Sequence, residues 1–111
     1  HAADGKCSIP DVVKWMCEGP AEVYGIQGKG RLEEGRDADL VLVDMGKRRA
    51  ISDTDTWTRV GWTAYEGIPL TGWPVGTFVD GRMVFNRTRG GSAKGSILVE
   101  PGTVGRALRF S

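Results

Sequence analysis

The run Val75-Gly76-Thr77-Phe78-Val79-Asp80-Gly81-Arg82-Met83-Val84-Phe85 limits the fold of this chain more than any other stretch. Two segments rich in β-branched and aromatic residues flank the dipeptide Asp80-Gly81. A two-residue hairpin loop of type I′ needs positive φ at both central positions, and Asp-Gly adopts that conformation at low cost. The spacing therefore predicts an antiparallel pair and a fold organised around a sheet. Ala38–Asp44 reads as a further strand, rich in branched and aliphatic residues and bounded by Asp, in the manner of a buried strand. Ala50-Ile51-Ser52 and Ile97-Leu98-Val99 are shorter strand candidates, and Pro101-Gly102 is a turn. Gly accounts for 17 of 111 residues, which suits a turn-rich, mainly β chain.

The first 28 residues follow a different period. Ile9, Val12, Val13, Met16 and Cys17 recur at helical spacing and define one apolar face over residues 8–18. Ser8 suits the N-cap, Asp11 the positive helix end, and Pro10 the first turn, where its missing N–H costs nothing. Gly19 is expected to stop this helix, with Pro20–Tyr24 forming a short second one. The chain thus divides into a helical head (1–28) and a β-rich body (29–111). A head of this size has no core of its own, so its apolar face must dock on the β body or on protein outside this sequence. Residues 53–73 hold Trp57, Trp62, Tyr65 and Trp73 among Gly, Pro and Thr, and read as an ordered loop pinned by aromatics. Residues 86–96 read as a surface loop.

Charge excludes some classes of function. The net charge is +1 and the basic residues are scattered, which argues against a nucleic-acid partner. No apolar run is long enough to cross a bilayer, and no secretory signal pattern is visible. The first residue is His1, which reads as a tag remnant or a cut site. The two cysteines, Cys7 and Cys17, make no disulfide framework. Cys17 is expected as a small buried hydrophobe in a reduced, cytoplasmic protein.

Catalytic groups are sparse. A metal site needs three or more converging His, Cys or carboxylate ligands, and the sequence offers His1, two separated cysteines and no H-x-H, H-E-x-x-H or C-x-x-C. Asp37, Asp39 and Asp44 are close in sequence, and as strand residues Asp37 and Asp39 would share a face; solubilisation of the strand end is the expected use. No G-x-S-x-G elbow is present. Gly25–Gly30 and Gly90–Gly95 lack the phosphate-loop pattern and read as turns. The aromatics of residues 57–73 could stack bases or sugars, but only Arg59 is nearby to form a basic groove, so packing on a neighbouring domain is the expected role. No catalytic, metal-binding or substrate-binding residue is assigned.

Three stretches, in order, resemble the carboxy-terminal part of the cyclic amidohydrolases. Gly19-Pro20-Ala21-Glu22-Val23-Tyr24-Gly25-Ile26 is similar to the family's N-P-A-x-x-x-G-l at its last barrel helix. Lys29–Asp44 resembles K-G-x-l-x-x-G-x-D-A-D-l-v-l-v-D. Tyr65–Phe85 is similar to the dihydroorotase and allantoinase ending f-x-G-x-x-l-x-G-x-v-x-x-T-i-v-r-G-x-x-v-y. Trp62–Gly67 also resembles the dihydroorotase T-P-F-E-G, with Ala64 in place of the Pro. The matches span positions 19–85 and favour dihydroorotase over hydantoinase or allantoinase.

The resemblance implies that 1–28 is the end of a (β/α)8 barrel domain, absent here apart from this last helix. It implies that 29–111 is part of a small β-sandwich built from both ends of a longer chain. Asp37 and Asp39 would take structural roles in a turn. The parent activity would be reversible hydrolysis of dihydroorotate to N-carbamoyl-aspartate in pyrimidine biosynthesis, with zinc bound by residues upstream of this sequence. The chain itself is expected to hold no cofactor, to be non-catalytic alone, and to partner the rest of its parent or another copy. Two other readings stay open: a standalone module that binds a protein through an open sheet edge, and an unrelated β domain that binds a ligand through its aromatics.

Overall fold

The computed structural model describes residues 4–87, 96–98 and 107–110. A helical run opens the chain: α1 (Ile9–Val13), a π-turn (Lys14–Glu18) and α2 (Gly19–Val23). Ser8 caps it as the sequence predicts. Its Oγ accepts from Asp11 N at 3.2 Å while the Asp11 carboxylate accepts from Ser8 N at 2.8 Å, a reciprocal capping box. The Ser8 hydroxyl, donating to Asp11 Oδ2 at 2.6 Å, and then the Ser8 amide hold the Asp11 carboxyl below its ordinary pKa.

The expected stop at Gly19 does not occur. Gly19 is helical (φ −56°, ψ −52°) and its N–H reaches back five residues to Lys14 O. The reason lies at Pro20, which donates no N–H and whose ring would press on the carbonyl of Met16 in an unbroken α-helix. The wider π-turn just before it removes that conflict, so the helix continues to Val23.

The body is a four-stranded antiparallel sheet in the order β1 (Leu40–Ala50), β2 (Pro69–Val79), β3 (Arg82–Asn86), β4 (Ser96–Ile97). The Asp80-Gly81 turn forms as expected, with φ of 51° and 75° and Val79 paired to Arg82. Residue Ala50 is the end of β1 and not the start of a new strand, and β2 begins at Pro69, well before Val75. Both extensions pass a bulge. Asp44 Oδ1 accepts from the amides of Gly46 and Lys47 at 3.0 and 3.2 Å, and the register resumes at Arg48↔Thr71. Ser96–Ile97 confirms a last strand, extended by Leu98 N donating to Val84 O at 2.9 Å. Val99, the Pro101-Gly102 turn and most of the 86–96 loop lie outside the described residues.

The expected burial fails in an informative way. Trp73, 7% exposed, is the one buried large apolar residue among those described. Val41, Leu42 and Val43, expected in a buried strand, are 45–58% exposed. On the helical head, Val13 and Met16 are exposed and so is Cys17, contrary to the buried position expected for it. No helix residue comes within 8 Å of a strand residue, Cα to Cα, among the described residues. Helix and sheet are each formed, but neither supplies the other with a core.

Close packing does occur where the chain leaves α2. Gly30 has φ +88°, and a Cβ there would lie 2.7 Å from Ala21 Cβ and 3.0 Å from Cys17 O. A side chain is strained both by the left-handed backbone and by the fixed helix behind it. Gly30→Ala is expected to cost about 2 kcal/mol. Gly35→Ala, where φ is +85° but nothing lies within 4 Å, isolates the backbone share. Urea unfolding of both variants, followed by helical circular dichroism, checks the order.

Candidate functional site

Two polar assemblies organise the chain. The first explains the Lys29–Asp39 stretch. Lys29 Nζ pairs with Asp37 Oδ2 at 2.9 Å and with Asp39 Oδ2 in a shorter contact. The hydrogen bonds to Asp39 and then Asp37 raise the Lys29 pKa above its ordinary value. Asp39 Oδ1 accepts from Asp80 N at 2.8 Å, and Gly81 N donates to Ala38 O at 3.0 Å. Thus Ala38 and Asp39 latch the tip of the hairpin, while Lys29 draws together Asp37 and Asp39, which precede β1 and do not share a strand face as the sequence suggested. Their use is to hold a turn. Asp44, the third carboxylate of the series, caps the β1 bulge instead.

A cleft of about 300 Å³ opens beside this group, lined by Gln27–Lys29, Asp37 and Ala107–Arg109. Its outer wall is the carboxy-terminal segment, where Arg109 O accepts from Gln27 N at 2.8 Å and Phe110 bridges Ile26.

The second assembly surrounds Trp73. Its indole Nε1 donates to Leu70 O at 3.1 Å, and the guanidiniums of Arg49 and Arg87 lie 3.8 and 5.4 Å from a ring centroid. Arg49 pairs with Asp55 Oδ1, and Arg87 Nη1 lies 3.5 Å from the same oxygen while its Nε donates to Pro74 O at 3.1 Å. Burial pushes the Asp55 carboxyl up, but the Arg49 hydrogen bond, the Ser52 amide and the two guanidinium charges outweigh it. The net pKa lies below the ordinary carboxylate value.

Trp57, Trp62 and Tyr65, grouped with Trp73 by sequence, are 54–62% exposed. Polar groups order their loop. Asp53 Oδ1 accepts from Thr63 N at 2.8 Å, Asp53 N donates to Glu66, and Gly67 N donates to Ile51 O at 2.9 Å. Sequence reasoning missed Arg49, Asp55 and Arg87. Ser52 and Asp55, a capping box at a 3-10 turn, were the available local signal.

Neither assembly fits a catalytic zinc. Asp37 and Asp39 are committed to Lys29, Asp55 to arginines, and no three His, Cys, Asp or Glu converge among the described residues. His1 lies outside them. Among the described residues no helix is long and apolar enough to cross a membrane.

The amidohydrolase family model matches residues 1–84. The dihydroorotase of Methanothermobacter thermautotrophicus is 35% identical over 80 residues, 72% of this chain and 19% of that protein. The dihydroorotase of Pyrococcus furiosus is 33% identical over 108 residues, 96% of this chain and 26% of its own length. Among solved structures, the L-hydantoinase (dihydropyrimidinase) from Arthrobacter aurescens superposes with a TM-score of 0.75 at 33% identity, covering 89% of this chain and 21% of that one. The chain therefore spans about a fifth to a quarter of the relatives it matches. Its dihydroorotase-like sequence, its hydantoinase-like backbone and the match over residues 1–84 agree: the chain belongs to the amidohydrolase family.

Proposed function

We propose that the chain is the carboxy-terminal piece of a dihydroorotase-like amidohydrolase and is non-catalytic alone. In this reading 1–28 ends a barrel domain and 29–111 is a share of a β-sandwich whose remaining strands lie elsewhere in the longer protein. Hydrolysis of dihydroorotate to N-carbamoyl-aspartate, and the zinc that supports it, belong to that longer, cytoplasmic enzyme. One observation carries the reading. The helical head and the sheet present apolar faces, Val13 and Met16 on one and Val41–Val43 on the other, yet do not pack together. Elements that form without a shared core are shaped to bury those faces on further protein.

The hydantoinase backbone likeness favours a second reading of the parent substrate, a hydantoin. A different alternative, a module that captures a partner strand along the outer edge of β1, follows from that edge's place at the end of the sheet.

The test is direct. The purified chain, supplied with zinc, is expected to retain no stoichiometric metal by mass spectrometry and to turn over neither dihydroorotate nor hydantoin. Substituted for the matching segment of the Pyrococcus furiosus dihydroorotase, it is expected to give an active chimera. Turnover with bound zinc by the chain alone overturns the proposal, and a chimera that folds but is inert removes the dihydroorotase assignment.

A further inference from the structure

The sequence holds two Asp-Gly dipeptides, Asp4-Gly5 and Asp80-Gly81. Such a dipeptide can rearrange through its own backbone, because no side chain on Gly hinders the approach of its nitrogen. The Gly nitrogen bonds the Asp Cγ, and one carboxyl oxygen leaves as water with the amide proton and a proton from solvent. Water then opens the resulting succinimide ring. Attack at Cγ restores aspartate. Attack at the backbone carbonyl leaves the chain running through Cγ, an isoaspartate of unchanged mass and redox state.

Both dipeptides are exposed, and both glycines have positive φ. Solvent access and glycine conformation therefore do not separate them, but their neighbours do. A Cβ on Gly5 would meet nothing within 4 Å. At the hairpin tip, Gly81 N donates to Ala38 O at 3.0 Å and Asp80 N donates to Asp39 Oδ1 at 2.8 Å. The peptide units on both sides of the Asp80 Cα are thus pinned. Ring closure must eclipse Asp80 Cβ with the Gly81 nitrogen about the Cα–C bond. The type I′ turn, with φ of 51° and 75°, holds these atoms apart. The Gly81 peptide unit has to rotate before it can react, and that rotation breaks its bond to Ala38.

We propose that Asp80-Gly81 is a latent site of succinimide and isoaspartate formation, held closed by Ala38 and Asp39. An isoaspartate there adds a backbone carbon to a two-residue turn, which the Val79–Arg82 pairing cannot span unchanged. The rearranged tip does not fit back under the latch, so a single lapse leaves the hairpin open. This site is independent of the parent activity proposed above.

The full chain is incubated in warm neutral buffer and digested with trypsin, which separates the two dipeptides, and isoaspartate at each is measured by mass spectrometry. In the folded chain it is expected to accumulate at position 80 at least roughly tenfold more slowly than at position 4, the scale set by releasing the Ala38 bond together with the turn it closes. In denaturing urea the two rates converge. Asp39→Ala speeds the reaction at position 80 severalfold while amide protection in the flanking strands, at Phe78 and Met83, stays unchanged. Asp39→Asn, which keeps an oxygen acceptor for Asp80 N, stays slow. Equal rates at the two positions in the folded chain overturn the proposal. A slow reaction at position 80 in Asp39→Ala also overturns it, because the turn alone would then be the guard. Strand protection lost alongside the acceleration does the same, because the guard would then be the whole hairpin and not its latch.

Discussion

Trp73→Ala abolishes cooperative unfolding of the sheet. Removing a buried large aromatic costs about 3–5 kcal/mol, against a total of about 5–15 kcal/mol for ordinary domains. This chain starts lower, because among the described residues Trp73 is the one buried large apolar residue and the other large apolar residues are half-buried or exposed. The loss has three parts: the apolar area of the ring, the cation–π contacts with Arg49 and Arg87, and the hydrogen bond that its Nε1 donates to Leu70 O. The contact at 3.8 Å also covers the Arg49 side chain, whose Nε is buried with no hydrogen-bond partner among the described residues. Trp57→Ala is the matched control. Its ring is 54% exposed, and its loss is expected to stay within about 0.5 kcal/mol. Urea titrations followed by β-sheet circular dichroism compare the two. Equal midpoints would show that the ring at 73 is not the centre of the sheet's packing.

The contrast between these tryptophans marks where sequence reading stops. Local signals carried far. Asp80-Gly81 needed only its own backbone preference to define the turn, and Ser8 with Asp11 needed only a three-residue spacing to cap α1. The turn role of Asp37 and Asp39 came from the family resemblance, since the residues alone read as solubilising charges on a strand and gave no sign of their pairing with Lys29. Features that depend on distant residues were not legible. β1 runs on to Ala50 because Pro69–Thr71 pair with Arg48–Ala50 past the bulge, a register no local period reveals. Arg49, Asp55 and Arg87 meet around Trp73 from three separate parts of the chain, and each alone resembles an ordinary surface charge. The helix passed Gly19-Pro20 because a π-turn absorbed the proline, a rare geometry that propensity rules do not anticipate. Burial was misjudged at Cys17 and Val41–Val43 for a different reason. Their apolar character is real, but it records a partner surface that the helices and strands of this chain do not form with each other.

Asp55→Asn is expected to destabilise the chain by about 3 kcal/mol, since removing one partner of a largely buried ion pair leaves the other charges uncompensated. Here two are left. The Arg87 side chain is only 7% exposed and that of Arg49 23%, and both face the same carboxylate oxygen. The amide keeps the shape and an oxygen acceptor, so the loss reports charge more than packing. The acid dependence gives an independent check. The Asp55 carboxyl is held below its ordinary value of 3.8 in the fold. Its contribution is therefore fully present above that unfolded value and is lost as pH falls through the lower folded one. The stability gap between the parent chain and Asp55→Asn should be constant near neutrality and close progressively below about pH 4. Arg87→Met completes a double-mutant cycle. If Asp55 works by neutralising Arg87, the second substitution recovers part of what the first removes. Additive losses would mean that the carboxylate does not act through Arg87, and a gap that persists unchanged into acid would mean that its charge is not the source of the loss.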